Sequence, residues 1–160
     1  MQGNPPLPSS WGAPSRRPPL AKRGGARYPQ RMAHQFVVQL AHKPGALAEL
    51  CRELERQKVD LKAIGGGGIG EVGHVILKTA DDAKTRAVLE AGSYTFIESE
   101  SVLAEVDDQP GGMLSVLDRL AAAGVNVYGH LFMGRWGERA TFAFVVDDPA
   151  KARAALGQEY

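Results

Sequence analysis

Two loops in this chain carry the residue types that recognise a small zwitterion. Ala41-His42-Lys43-Pro44-Gly45-Ala46-Leu47 and Asp107-Asp108-Gln109-Pro110-Gly111-Gly112-Met113 each stand between a short β-prone run and a helical apolar pattern. Proline restricts the backbone as it enters a helix, and the glycine after it takes side-chain bulk away from the helix start. The N–H groups of a first helical turn lack intrahelical partners, and with the helix dipole they favour a carboxylate. Asp108 offers an acceptor to an ammonium group, and Asn126, after the same helix, can both donate and accept. Carboxylate recognition beside ammonium recognition describes a free α-amino acid. Each feature alone also reads as helix punctuation, an N-terminal charge or a turn residue; their recurrence at one offset is what points to a site.

Other chemistry finds less support. His34, His42, His74 and His130 are scattered, with no cysteine or carboxylate at ligand spacing, so neither a metal nor a cofactor is expected. No nucleophile–base arrangement can be named, and the chain is read as a non-enzyme. The single cysteine, Cys51, excludes an internal disulfide and lies in a helical apolar pattern that suits core packing. Gly65-Gly66-Gly67-Gly68-Ile69-Gly70 satisfies G-x-G-x-x-G but leads into a strand, Glu71–Val75, where a dinucleotide fingerprint would open a helix. A flexible hairpin tip is expected there. Thr141–Val145 is similar to part of an RNA-recognition strand, although the leading Lys/Arg-Gly and the closing aromatic are absent. Phe142 and Phe144 are therefore expected to fill a core or an interface, with an RNA-binding module as the alternative reading. Trp136, near Arg135 and Arg139, reads as a contact surface or a cap over the sheet edge.

The elements that position the two loops repeat. An ungapped offset of 66 residues overlays Pro44-Gly45 on Pro110-Gly111, Leu54 on Leu120, Val59 on Val125, Gly68 on Gly134 and Asp81-Asp82 on Asp147-Asp148. Each copy begins with a strand, Gln35–Leu40 or Ser101–Val106. A helix follows, with apolar residues at Leu47, Leu50, Cys51 and Leu54, or at Met113, Val116, Leu117 and Leu120. Gly124 suits a left-handed C-cap, where the first copy has Lys58. Second strands are expected at Val59–Ile64 and Val125–Met133, and third strands at His74–Thr79 and Ala140–Val146. Asp82 is expected to cap the second helix of the first copy, and Asp148 that of the second, with Pro149 at its first position. The first copy adds a fourth strand, Tyr94–Glu98, whereas Tyr160 falls where the second copy's fourth strand would begin. The fold class is α+β: two ferredoxin-like βαββαβ repeats with antiparallel sheets, the second lacking its last strand. That absence leaves the second repeat's first strand open on one side, for a partner chain or a further segment to cover.

Three regions are expected: a disordered, basic, Pro/Arg-rich extension over 1–33, a first repeat over 34–99 and a second over 100–160. Of the 160 residues, positions 1–31 hold six of the 19 basic residues and none of the 18 acidic ones, leaving the remainder at net −5. That remainder matches phosphate backbones poorly, so nucleic acid is an unlikely partner. Met32, just ahead of the first strand, is a candidate for the true start. No apolar run approaches the ~18 residues of a membrane span, and the opening residues lack a signal peptide's apolar stretch, so a cytoplasmic location is expected.

The run Asp108-Gln109-Pro110-Gly111-Gly112-Met113, with Gly124-Val125-Asn126-Val127 after the helix, resembles the ACT domain. The likeness covers residues 34–160, both copies, and is nearest to stand-alone tandem ACT-domain proteins of bacteria. It implies a regulatory module that binds an amino acid at a domain interface beside the Pro-Gly loop. Asp108, Gln109, Pro110, Gly111, Gly112, Met113, Asn126 and Val127 would line the second copy's site. The first copy's counterparts are His42, Gly45, Ala46, Leu47 and Asp60; His42 and Asp60 replace the usual acid and asparagine, so this site is expected to be weak. The resemblance further implies side-by-side pairing of the two domains with the ligand at the seam, a homo-oligomer and a regulated protein partner. A dimerisation module without ligand is the remaining alternative.

Overall fold

A computed structural model describes residues 34–158. The expectations about the 1–33 extension, the Met32 start and Tyr160 lie outside the described residues. In chain order the elements are β1 (His34–Ala41), α1 (Ala46–Arg56), β2 (Leu61–Ile69), β3 (Val72–Thr79), α2 (Asp82–Ala91), β4 (Phe96–Asp107), α3 (Gly112–Ala122), β5 (Val127–Trp136), β6 (Arg139–Val146) and α4 (Pro149–Ala155). The fold is α+β, with one antiparallel six-stranded sheet in the order β2-β3-β1-β4-β6-β5.

The expected fourth strand of the first repeat and first strand of the second are a single element. Phe96–Glu100 of β4 pairs with β1, and Ser101–Asp107 pairs with β6. Ser99-Glu100-Ser101 contains no glycine or proline to interrupt the ladder, and the alternation runs through without a phase change. Phe96, Val102, Ala104 and Val106 all contribute to the helix-side cores. Glu100, midway on that same face, is held by Arg153 of α4 at 2.5 Å. The expected boundary at residues 99/100 therefore falls inside a strand.

Each repeat has its own core between helices and sheet. Phe36, Val38, Leu77, Leu50, Leu54, Val88 and Leu89 build the first, and Val102, Val106, Val116, Leu120, Phe144, Val146 and Ala152 the second. A third layer lies on the helix-free side: Val37, Ile76, Leu131 and Val145 are buried together, with Ala63 and Met133 against them. The repeats are thus joined through one sheet by the shared β4 and also bury part of their helix-free surfaces against each other. Each of β1, β3, β5 and β6 contributes one buried apolar side chain to that surface, Val37, Ile76, Leu131 and Val145, which need cover, and the shared β4 brings the two halves together. Gly65 and Gly129 permit the close approach: a Cβ at Gly65 would stand 2.7 Å from Leu131 Cδ2, and one at Gly129 2.5 Å from Ile76 Cδ1.

Several local expectations change. Gly65 to Gly68 lie within β2, which extends to Ile69, so the run is strand and not hairpin tip. Asp81 is the N-cap of α2, accepting from the Lys84 N–H at 3.0 Å, and Asp82 is the first helical residue. Asp148 caps α4 as expected, with Pro149 following. Leu50 and Leu54 are buried but Leu47 is 45% exposed, and α3 buries Val116 and Leu120 while leaving Leu114 and Leu117 exposed. Among the described residues no strand lies along the side of Val102–Asp107 that faces away from β6. There the Gln158 side-chain amide donates to the Leu103 carbonyl at 2.5 Å.

Candidate functional site

The second Pro-Gly loop opens onto a groove of about 560 Å³, bounded by Asp108, Gln109, Pro110 and Met113 on one side and by Phe132, Arg135 and Phe142 on the other. The loop is built by short backbone bonds. The Gln109 N–H donates to Asp107 O at 2.8 Å, that of Gly112 to Gln109 O at 3.1 Å, and that of Asp108 to Glu138 O, across the β5–β6 hairpin, at 2.8 Å. Gly111 has φ +88 and is the N-cap of α3; Gly45 does the same for α1 at φ +89. Nothing lies within 4 Å of a Cβ built on either, so the glycine is required for its left-handed backbone and not for lack of bulk. Bulk matters one residue later: a Cβ at Gly112 would stand 2.0 Å from Asp107 O. The first intrahelical bond of α3 runs from Ser115 N–H to Gly111 O, so the N–H groups of Met113 and Leu114 precede the ladder at its positive end.

Arg135 lines the groove although the spacing did not single it out. Its Nε lies 2.7 Å from Asp108 Oδ2 and its Nη2 donates to Asp108 Oδ1 at 3.0 Å, a bidentate pair at the groove's rim. Phe132, 55% exposed, meets Phe142 in a tilted contact at 5.5 Å between ring centroids and forms an apolar wall beside that pair. Alternation along β5 puts His130 and Phe132 on one face, but their meeting with the loop depends on the β5–β6 register, which a local pattern does not reveal.

The remaining expected site residues disperse. Asn126 lies at the opposite end of α3, about 16 Å from the loop for an eleven-residue helix, and its backbone pairs with Asp147 through both its N–H and its carbonyl. Val127 follows it into β5 and packs against the second core. In the first repeat, His42 fills the space beside its own loop. Its Nδ1 is 2.9 Å from Gly70 O, its backbone N–H donates to Glu71 O, and its ring lies over Gly68. Asp60 is ion-paired with Lys62 and borders a separate groove with Cys51, Leu54 and Lys58 at the far end of α1. Gly45, Ala46 and Leu47 keep the helix-start geometry without a groove residue equivalent to Arg135.

Phe144 is fully buried in the second core and Phe142 lines the groove, so neither is presented on the helix-free face as a stacking platform. Trp136, half exposed at the end of β5, covers Gly134, where a Cβ would stand 2.5 Å from its ring. Among the described residues no helix is long and apolar enough to cross a membrane.

No family model matches the chain, and no curated protein matches it. Solved structures do. Protein BT0572 from Bacteroides thetaiotaomicron superposes with a TM-score of 0.60 at 21% identity, over 79% of this chain and 87% of the other. The ligand-free regulatory subunit of aspartate kinase from Thermus thermophilus gives 0.56 at 15% identity, over 79% and 90%. Its counterpart from Thermus flavus gives 0.57 at 14%, over 79% and 92%. At these identities the likeness is one of fold: the chain shares the ferredoxin-like α+β architecture of those structures.

Proposed function

We propose that this chain is a non-catalytic regulatory protein that senses a free amino acid in the groove of its second repeat. The observation that carries the reading is the juxtaposition of Asp108, Arg135 and the N-terminus of α3 around one opening. A zwitterion needs one partner of each sign within a few ångströms, and these three supply them. The similarity in fold to regulatory subunits of aspartate kinase supports a regulatory role. In the first repeat, His42 packs beside its own loop against Gly68 and Gly70, which supports the second repeat as the working site. The chain ends of the sheet, β2 and β5, are edges, and β5 carries exposed Tyr128 and Phe132, so a homo-oligomer joined through that edge is part of the reading. Output then passes to a separate protein.

A ligand of about ten heavy atoms at roughly 0.5–0.8 kcal/mol per atom binds in the micromolar to millimolar range. A thermal-shift screen of the twenty amino acids at millimolar concentration tests the reading. At least one is expected to raise the unfolding midpoint, and Asp108→Ala to weaken it about tenfold by removing the ammonium acceptor. Asn126→Ala, at the far end of α3, is expected to leave binding unchanged. If no amino acid shifts the midpoint of the folded protein, the sensor reading fails for this chain.

A further inference from the structure

The groove has a chemical asymmetry that reaches past amino acids in general. Its lining sets the charged Asp107, Asp108 and Arg135 beside the apolar Val106, Phe132 and Phe142. Phe132 is more than half exposed although it sits beside aromatic neighbours His130 and Phe142, which lie 5.8 Å apart. Large exposed apolar side chains lining a concavity mark places where an apolar group is expected to dock. The Arg135–Asp108 pair is itself partly open to solvent, with side chains 59% and 34% exposed. An ion pair in contact with solvent is only weakly stabilising, so opening it costs little. The guanidinium fork fits a carboxylate two bonds at a time, and each partner released from the pair would meet the opposite charge on an incoming zwitterion.

Resting on the sensor reading, we infer that the site selects α-amino acids with a large apolar side chain, and that the ligand's two charges exchange into the Arg135–Asp108 pair. The ligand carboxylate replaces Asp108 on the Arg135 guanidinium, its ammonium replaces Arg135 on the Asp108 carboxylate, and its side chain lies on Phe132 and Phe142. A carboxylate without the ammonium would leave Asp108 uncompensated, and an amine without the carboxylate would do the same to Arg135. Both charges on one small ligand are therefore required. Side chains bearing a further charge or a hydroxyl would have to leave water for a carbon wall with no partner.

Isothermal titration of the full chain with leucine, methionine and phenylalanine, against serine, aspartate and lysine, reads the selectivity. The apolar set is expected to bind at least tenfold tighter. 4-Methylpentanoate and 3-methylbutylamine, each lacking one of leucine's charges, are expected not to bind at millimolar concentration. Phe132→Ala and Arg135→Gln change exposed side chains and keep the fold, which circular dichroism verifies. Phe132→Ala is expected to narrow the leucine-to-serine ratio about tenfold, and Arg135→Gln to weaken every amino acid without changing that ratio. Equal affinity for serine, aspartate and lysine overturns the selectivity while leaving the sensor reading in place, as does an unchanged ratio in Phe132→Ala. Binding of 4-methylpentanoate as tight as leucine overturns the charge exchange. Failure of all twenty amino acids overturns both readings together.

Discussion

The imidazole of His42 lies where a side chain on residue 68 would begin: a Cβ at Gly68 would stand 2.8 Å from the His42 Cγ and Cδ2. The glycine run of β2 is thereby tied to the first Pro-Gly loop, and the His42 Nδ1 contact with Gly70 O closes the tie. Gly68→Ala is expected to cost about 1–2 kcal/mol by displacing the ring. In a His42→Ala background that cost should vanish, giving a coupling of about 1 kcal/mol in a double-mutant cycle of urea unfolding. Gly67→Ala is the internal comparison. Nothing lies within 4 Å of its Cβ, and the substitution is expected to stabilise by about 0.5 kcal/mol through lost chain entropy. Equal effects at 67 and 68 would mean that the His42 ring does not restrict residue 68.

The two first helices end on the same backbone geometry with different residues. Lys58 at φ +54 and Gly124 at φ +68 occupy equivalent positions. In both copies the next N–H returns to the last turn, Val59 to Leu54 at 2.9 Å and Val125 to Leu120 at 3.0 Å. A left-handed backbone costs an L-residue about 1–2 kcal/mol, a strain glycine escapes. Lys58→Gly should therefore stabilise by about 0.5–1 kcal/mol and Gly124→Lys destabilise by about 1 kcal/mol, as read from urea midpoints. A destabilising Lys58→Gly would show that the lysine's side chain outweighs its backbone strain.

These caps illustrate what local pattern can and cannot carry. The Pro-Gly loops, the caps at Asp148 and Gly124, and the alternating apolar faces follow from one-dimensional chemistry, and with them the βαββαβ order. The fusion of two expected strands into β4 was hidden because Ser99-Glu100-Ser101 is polar and reads as a connection. Only the bond from Arg153 to Glu100 shows why a charge is tolerated in mid-strand. At the candidate site the loop residues were legible and the opposite wall was not. Arg135 meets Asp108 through strand register and hairpin length, quantities set by tertiary pairing. Asn126 follows α3 as expected, and its distance from the loop is the length of that helix, which adjacency in sequence does not convey.

The shared β4 and the buried layer of Val37, Ile76, Leu131 and Val145 make one folding unit of the two repeats. Neither half can lose its sheet without exposing the other's helix-free face. Calorimetry of residues 32–160 is expected to give a single transition whose calorimetric and van't Hoff enthalpies agree. Leu131, 4% exposed, bridges the two halves, and Leu131→Ala should cost about 2–4 kcal/mol and move that one transition as a whole. Two resolved transitions, with only one shifted by Leu131→Ala, would overturn the single unit.

Acid stability should depend on the junction end of β4. Arg86 of α2 donates from Nε and Nη2 to the two Glu98 oxygens at 2.7 and 2.6 Å, and His34 stands 3.7 Å from the same carboxylate. The hydrogen bonds from Arg86 hold the Glu98 carboxyl below its ordinary value of 4.5, against the opposing effect of burial. A depressed folded pKa means the folded chain binds the proton more weakly than the unfolded chain does. The contribution is then fully present above pH 4.5 and is lost as pH falls through the folded value. Glu98→Gln is expected to cost about 1 kcal/mol at pH 7, a figure discounted for the pair's partial exposure. Its unfolding free energy should also fall less steeply than the parent's between pH 5 and roughly pH 3, the acid range where paired carboxylates titrate. Parallel pH profiles for the two proteins would remove Glu98 from the acid limb, leaving the other carboxylates to account for it.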